Sequence, residues 1–125
     1  MHSYDGSNDF KLILSTWPDT LFAAGLGYTN LEMPIATQRA AILREAKIQL
    51  QKSLLEKIHD LPISGKQTVH DLSMREDSLE ICLAEYARGF IILDSQFISR
   101  DSMTIAGFVL TNQLKTFITS SLSSN

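Results

Sequence analysis

The stretch most suggestive of chemistry is Leu21–Thr29 (LFAAGLGYT), strand-like in composition, with Gly25 and Gly27 inside it and a helical pattern after it. Glycines placed this way let a backbone approach a pyrophosphate at a helix N-terminus. The G-x-G-x-x-G pattern fails at its third position, where Asn30 stands, and no strand ending in an acid follows at dinucleotide spacing. Glycine inside a strand also permits a bulge or a close backbone contact, here with the Ala-rich turns of the following helix. Asp94 and Asp101 could be a carboxylate pair, but they fall in a strand and a turn, where solvated polar roles are the default. The three histidines are far apart in sequence and none has metal-ligand spacing; His70 reads as a surface strand residue. Cys82 sits on a helical apolar stripe near Glu80 and Glu85, which favours a buried small hydrophobe over a reactive thiolate. Trp17 reads as a cover for one end of the core, with ligand stacking as the sharper alternative. No catalytic, cofactor-binding or metal-binding residue is assigned, because no Ser/His/Asp, Cys/His or paired-carboxylate arrangement has supporting context.

The element that must position everything else is one long helix, Pro34–Asp60. Asn30 suits its N-cap, and Leu61-Pro62 ends it. At about 100° per residue, Ala36, Ala40, Leu43, Ala46, Leu50, Leu54 and Ile58 form one stripe. Ala40 is therefore expected to face a sheet closely. A second line, Ala41, Ile48 and Leu55, repeats every seven residues and is the expected self-association contact. Glu45, Gln49, Lys52 and Glu56 take the solvated side. Around the helix, Lys11–Thr16 reads as an edge strand and Ile63–Met74 as a second strand with a loop at Gly65. Asp77–Arg88 reads as a short helix with a capping-box-like start at Asp77 and Glu80 and a stop at Gly89. Phe90–Ile98 and Met103–Thr111 form a hairpin around Ser99–Ser102, the latter strand a candidate sheet edge. Asn112–Leu122 closes the chain as an amphipathic helix.

These elements predict an α+β fold: an antiparallel sheet of three to four strands packed against one long helix, with a short helix and a C-terminal helix. Residues 1–10 form a disordered lead, and 11–125 a single domain. The 125 residues are enough for one real core. A net charge of −3 and no basic run argue against nucleic acid as a partner. No apolar stretch can span a bilayer, and residues 1–10 lack a signal-peptide core. The single cysteine excludes an internal disulfide.

Two strings carry a family likeness. "LFAAGLGYTN" followed by "ATQRAAILREAKIQLQKSLLEKI", and "EYARGFIILDSQFISRDSMTIAGFVLT" near the end, resemble the opening and the ending of a bacterial surface family. It comprises small outer-membrane lipoproteins and the flagellar proteins FlgP and FlgT (its amino-terminal domain). The likeness covers Trp17 to Ile118 and rests on small and apolar residues, so it reports fold more than activity. It implies export to the periplasm or outer membrane, a lipid anchor on an N-terminal cysteine, no cofactor, and a structural role with protein partners. No lipobox cysteine stands in this chain, so a membrane link would need an anchor this sequence does not carry; a native start at Met1 would mean a cytoplasmic protein. The first expectation is a non-enzymatic structural or assembly protein of the envelope, homo-oligomeric, with the flagellum as one setting for it. The alternative is a small-molecule or peptide binding module with a pocket lined by Trp17, Tyr28 or Tyr86.

Overall fold

A computed structural model describes residues 12–29 and 34–123. The lead 1–10, Lys11 and the Asn30 cap lie outside the described residues. The elements are β1 (Thr20–Tyr28), α1 (Ile35–His59), α2 (Val69–Ser73), α3 (Asp77–Arg88), β2 (Ile91–Ser99), β3 (Ser102–Leu110) and α4 (Asn112–Ser123). The sheet is antiparallel, in the order β1-β3-β2. The α+β class, the long helix, the hairpin and the C-terminal helix all stand as the sequence predicts. Met103–Thr111 does not lie at an edge: β3 is the central strand, with Leu21 opposite Val109 on one side and Phe97 opposite Met103 on the other. Central placement fits its alternation, since Met103, Ile105, Gly107 and Val109 are all buried.

Helix α1 packs on the sheet through a row spaced by four, Ile42, Ala46, Leu50, Leu54 and Ile58, each fully buried, with Gln38 buried ahead of it. Ala36 and Ala40 are exposed, contrary to the sequence expectation. Each i,i+4 step turns about 40° around the helix. The contact line therefore winds as α1 crosses the twisted sheet, following an i,i+4 ridge. A stripe of fixed direction, read back from Leu50–Ile58, arrives on the wrong side at the N-terminus.

The close strand–helix contact read from the glycines is present. A Cβ on Gly25 would lie 2.3 Å from the Ala46 carbonyl oxygen and 2.4 Å from the Leu50 nitrogen. One on Gly27 would lie 2.2 Å from the Ile42 oxygen. Only glycine lets the two backbones come this near.

Three local readings are corrected. Residues 12–14 form a helical turn rather than an edge strand, closed by Thr16 N–H donating to the Ile13 carbonyl at 2.9 Å. The Ile63–Met74 region holds a single bridge, Pro62 with Thr68, and then α2. Thr68 and Asp71 form a reciprocal capping box there, a helix-start signal that outweighs the loose alternation of Val69, Leu72 and Met74. Helix α3 begins after Glu76, so Asp77 and Glu80 lie in its first turn rather than capping it. Trp17 does cover one end of the core: it is 4% exposed, and its Nε1–H donates to the Pro62 carbonyl at 2.8 Å.

Candidate functional site

Helix α1 rests on β1 and β3 and leaves β2 uncovered. All nine residues of β2 are exposed, among them Ile91, Ile92, Leu93, Phe97 and Ile98. On the helix side, the space between α1 and β2 is a groove of two successive recesses. One, about 310 Å³, is lined by Ile35, Gln38, Arg39, Phe97, Ser99 and Arg100. The next, about 530 Å³, is lined by Arg44, Lys47, Ile48, Gln51, Arg88, Phe90 and Ile92. Its floor is apolar and its rim cationic. Five of the chain's 11 Lys and Arg stand there, Arg39, Arg44, Lys47, Arg88 and Arg100, in a chain of net charge −3. Arg88 meets Glu85 at 3.1 Å in an exposed pair, and the Arg39 guanidinium lies 5.8 Å from the Phe97 ring centre. Among the described residues Arg44, Lys47 and Arg100 have no salt bridge.

The other face of the sheet is apolar as well. Phe22 pairs across with Phe108, and Ile91 with Phe108 on the far side, so all three share that face. The Phe22 and Phe108 rings are 6.0 Å apart and tilted, an ordinary aromatic contact. Phe22, Tyr28, Ile91 and Leu110 remain about half exposed. No charged residue of β1 or β3 joins them; Asp94, opposite Ala106, is the acid on this face of β2.

The titratable side chains form smaller groups. His59 Nε2 lies 2.9 Å from Glu80 Oε2, and the His59 and His70 rings are 5.1 Å apart, edge to face. The fold thus unites two histidines eleven positions apart, because α2 folds back on the end of α1. His70 is an exposed helix residue, not a strand residue. Among the described residues no group of three His, Cys, Asp or Glu is placed to hold a metal ion. Asp94 and Asp101 do not form a pair in a cleft: Asp101 lies in the hairpin turn and accepts from Ser99 Oγ at 2.6 Å. Cys82 is exposed rather than buried, because the buried row of α3 is Leu79, Leu83 and Ala87. Desolvation raises the Tyr86 phenol above 10.0, against a smaller lowering by a backbone hydrogen bond at Leu114. A dinucleotide cannot use Gly25 and Gly27, since α1 occupies the approach.

Of the residues expected to mediate self-association, Ile48 is 45% exposed in the groove, beside Ile92. Ala41 is half-buried, and Leu55 packs against the protein's own core. The open β2 and its cationic rim were not singled out from the sequence. The signal available was Phe90–Ile98, apolar without strict alternation, with Arg39, Arg44 and Lys47 on one flank of the helix. No helix among the described residues is long and apolar enough to cross a membrane. Set beside protein-family models, curated proteins and solved structures, the chain matches none of them.

Proposed function

We propose that this chain is a non-enzymatic structural and assembly protein of the bacterial cell envelope, and that copies associate through the outer face of the sheet. The observation that carries assembly is that face itself, where Phe22, Ile91 and Leu110 stand about half exposed around Phe108, with Tyr28 exposed at the other end of β1 on the same face. Contiguous apolar patches of this kind mark interaction surfaces. A two-fold contact would stack two sheets face to face, about 10 Å apart. Burying the remaining half of about five such side chains on each of the two partners contributes on the order of 10 kcal/mol. That falls within the cost of about 4–15 kcal/mol for immobilising two molecules, so one contact is weak and assembly relies on many. The envelope setting rests on the likeness of the strings around Gly25–Gly27 and the β2–β3 hairpin to the surface family.

Light scattering across a concentration series tests the assembly. The average mass should rise well before about 1 mM, and Phe22→Glu should hold the chain monomeric with its fold intact. A constant monomer mass up to that concentration overturns self-assembly. Reading the gene upstream of Met1 for an export signal and a lipobox cysteine tests the envelope assignment. The peptide-binding alternative draws support from the groove between α1 and β2.

A further inference from the structure

We propose that the groove between α1 and β2 binds an extended acidic segment of another protein, which adds to β2 as a fourth strand. It rests on the assembly reading only in naming the occupant a polypeptide, and it concerns the free edge and helix side of β2, meeting the outer face only where that face ends at Ile91.

Three observations converge on that occupant. The first is the open backbone. β2 pairs on one side only, with β3, so its outer N–H and C=O groups are a template for a strand. The opposite edge is treated differently: on β1 the Phe22 carbonyl accepts from Lys57 Nζ. Register shifts between Ile92 and Asp94 and between Phe97 and Ser99 bound a regular segment, Asp94–Phe97, as the nucleus for pairing. The second is charge. The rim carries Arg39, Arg44, Lys47, Arg88 and Arg100 on the helix side, and Glu85 is the acid paired among them. A second copy paired edge to edge about a two-fold axis normal to the sheet would bring two such rims to the same side, and like charges oppose that. The third is the difference between the faces. An added strand places alternate side chains on opposite faces. Carboxylates on the helix side meet the cationic rim, while apolar residues on the other side continue the surface of Ile91 and Phe108 and keep negative charge away from Asp94. The recognised pattern is therefore acidic and apolar residues in strict alternation. An anionic membrane would also meet cations and apolar groups, but it would leave the edge amides of β2 unpaired, which a hydrocarbon environment penalises.

A fluorescein-labelled ten-residue peptide of alternating glutamate and valine is the probe, titrated with the full chain and followed by anisotropy and amide exchange. Saturable binding is expected on the order of 0.1 mM at low salt, weakened at least about tenfold near 0.5 M salt, where the screening length falls to a few ångströms. Amides of Asp94–Phe97 should exchange more slowly in the complex. The same peptide with lysine for glutamate should not bind. An Arg44→Glu/Arg88→Glu variant should lose at least about tenfold, and Lys66→Glu, in an exposed loop away from the groove, should not. If the double reversal unfolds, Arg44→Gln/Arg88→Gln takes its place, checked by its denaturation midpoint. Equal binding of the lysine peptide, no saturation up to about 1 mM, or unslowed β2 amides on a bound peptide would each overturn the proposal. So would binding to phosphatidylglycerol vesicles by a chain that ignores the peptide. None of these outcomes bears on self-association through the outer face, which Phe22→Glu reports independently.

Discussion

Replacing Gly25 by alanine adds one methyl group where the structure has no room for it. The new Cβ would meet the Ala46 oxygen at 2.3 Å, the Leu50 nitrogen at 2.4 Å and the Leu50 Cα at 2.9 Å. Comfortable heavy-atom contact begins near 3.5 Å, so the conflict is about 1 Å deep. Every atom met is helix backbone, so no side chain can rotate away. Either α1 lifts from β1 or β1 sinks toward the outer face. A radial gap of that size forfeits roughly a quarter to a half of the dispersion energy of the side chains lining it, here the fully buried Ala46 and Leu50. Overpacking costs about 1–3 kcal/mol in ordinary cores, and the backbone nature of the clash puts this site at or above the top of that range. For a chain of this length, 3 kcal/mol corresponds to a fall of about 12 °C in Tm. Gly65→Ala is the control, because a Cβ there has nothing within 4 Å and no glycine has positive φ among the described residues. Urea denaturation of both variants decides the matter. A Gly25→Ala protein within about 0.5 kcal/mol of the parent would refute the close strand–helix approach on which the fold is argued.

Ala40→Leu should change stability by no more than about 0.5 kcal/mol, since Ala40 is exposed, whereas Ala46→Leu should destabilise clearly; paired denaturation curves distinguish the two. Trp17→Phe keeps a buried apolar ring at that end of the core but removes the hydrogen bond to the Pro62 carbonyl, a loss of about 1–3 kcal/mol readable as a shifted urea midpoint. Thr68→Ala removes the α2 capping box and should cost about 1 kcal/mol, visible also as faster amide exchange in residues 69–73. Tyr86 has a folded pKa above its unfolded value, with desolvation as the main cause. Its contribution is therefore complete below pH 10.0 and is lost as pH rises through the folded value; ultraviolet titration of the parent against Tyr86→Phe should show the missing late-ionising phenol.

What was legible in the chain was whatever depends on neighbours in sequence. β1, α1, α3, the β2–β3 hairpin and α4 follow from composition, periodicity and turn residues, and the structure places them close to the expected bounds. The glycine contact was also legible, because glycine inside an apolar strand next to an Ala-rich helix has few other uses. The direction of the stripe at the start of α1 was not, since it depends on the angle at which the helix crosses a twisted sheet. Ile42 was missed for that reason and Ala40 overrated. The place of β3 was hidden too: alternation along Met103–Leu110 shows which face is buried but not which strands flank it. The pair His59 and His70 could not be read from spacing, because the turn at Pro62–Thr68 brings them together. The open groove is a property of the assembled layers: the weak alternation of Phe90–Ile98 and the Arg39, Arg44 and Lys47 flank hint at it, but neither shows which strand the helix leaves uncovered.

Where that groove falls follows from three glycines. Gly25 and Gly27 are both on β1, and they let α1 seat with Ile42, Ala46 and Leu50 directly against that strand. The long helix is thus drawn toward one edge of the sheet rather than its middle. Gly107 acts on the far side of the central strand: a Cβ there would lie 2.7 Å from the Ile91 oxygen and 2.8 Å from Leu50 Cδ2. Its absence admits the Leu50 side chain and a close approach by the start of β2, beside the bulge between Ile92 and Asp94. Bulges bend the strand that carries them and raise its twist. A helix held over β1 by two missing methyl groups, beside a bent β2, cannot cover all three strands. The uncovered strand is the one that carries Ile92, Leu93, Phe97 and Ile98 into solvent. Moving the helix toward the middle of the sheet would bury more apolar surface within one molecule. The glycines at 25 and 27 hold it off-centre, so the exposed groove beside β2 is set by the same contacts that set the fold.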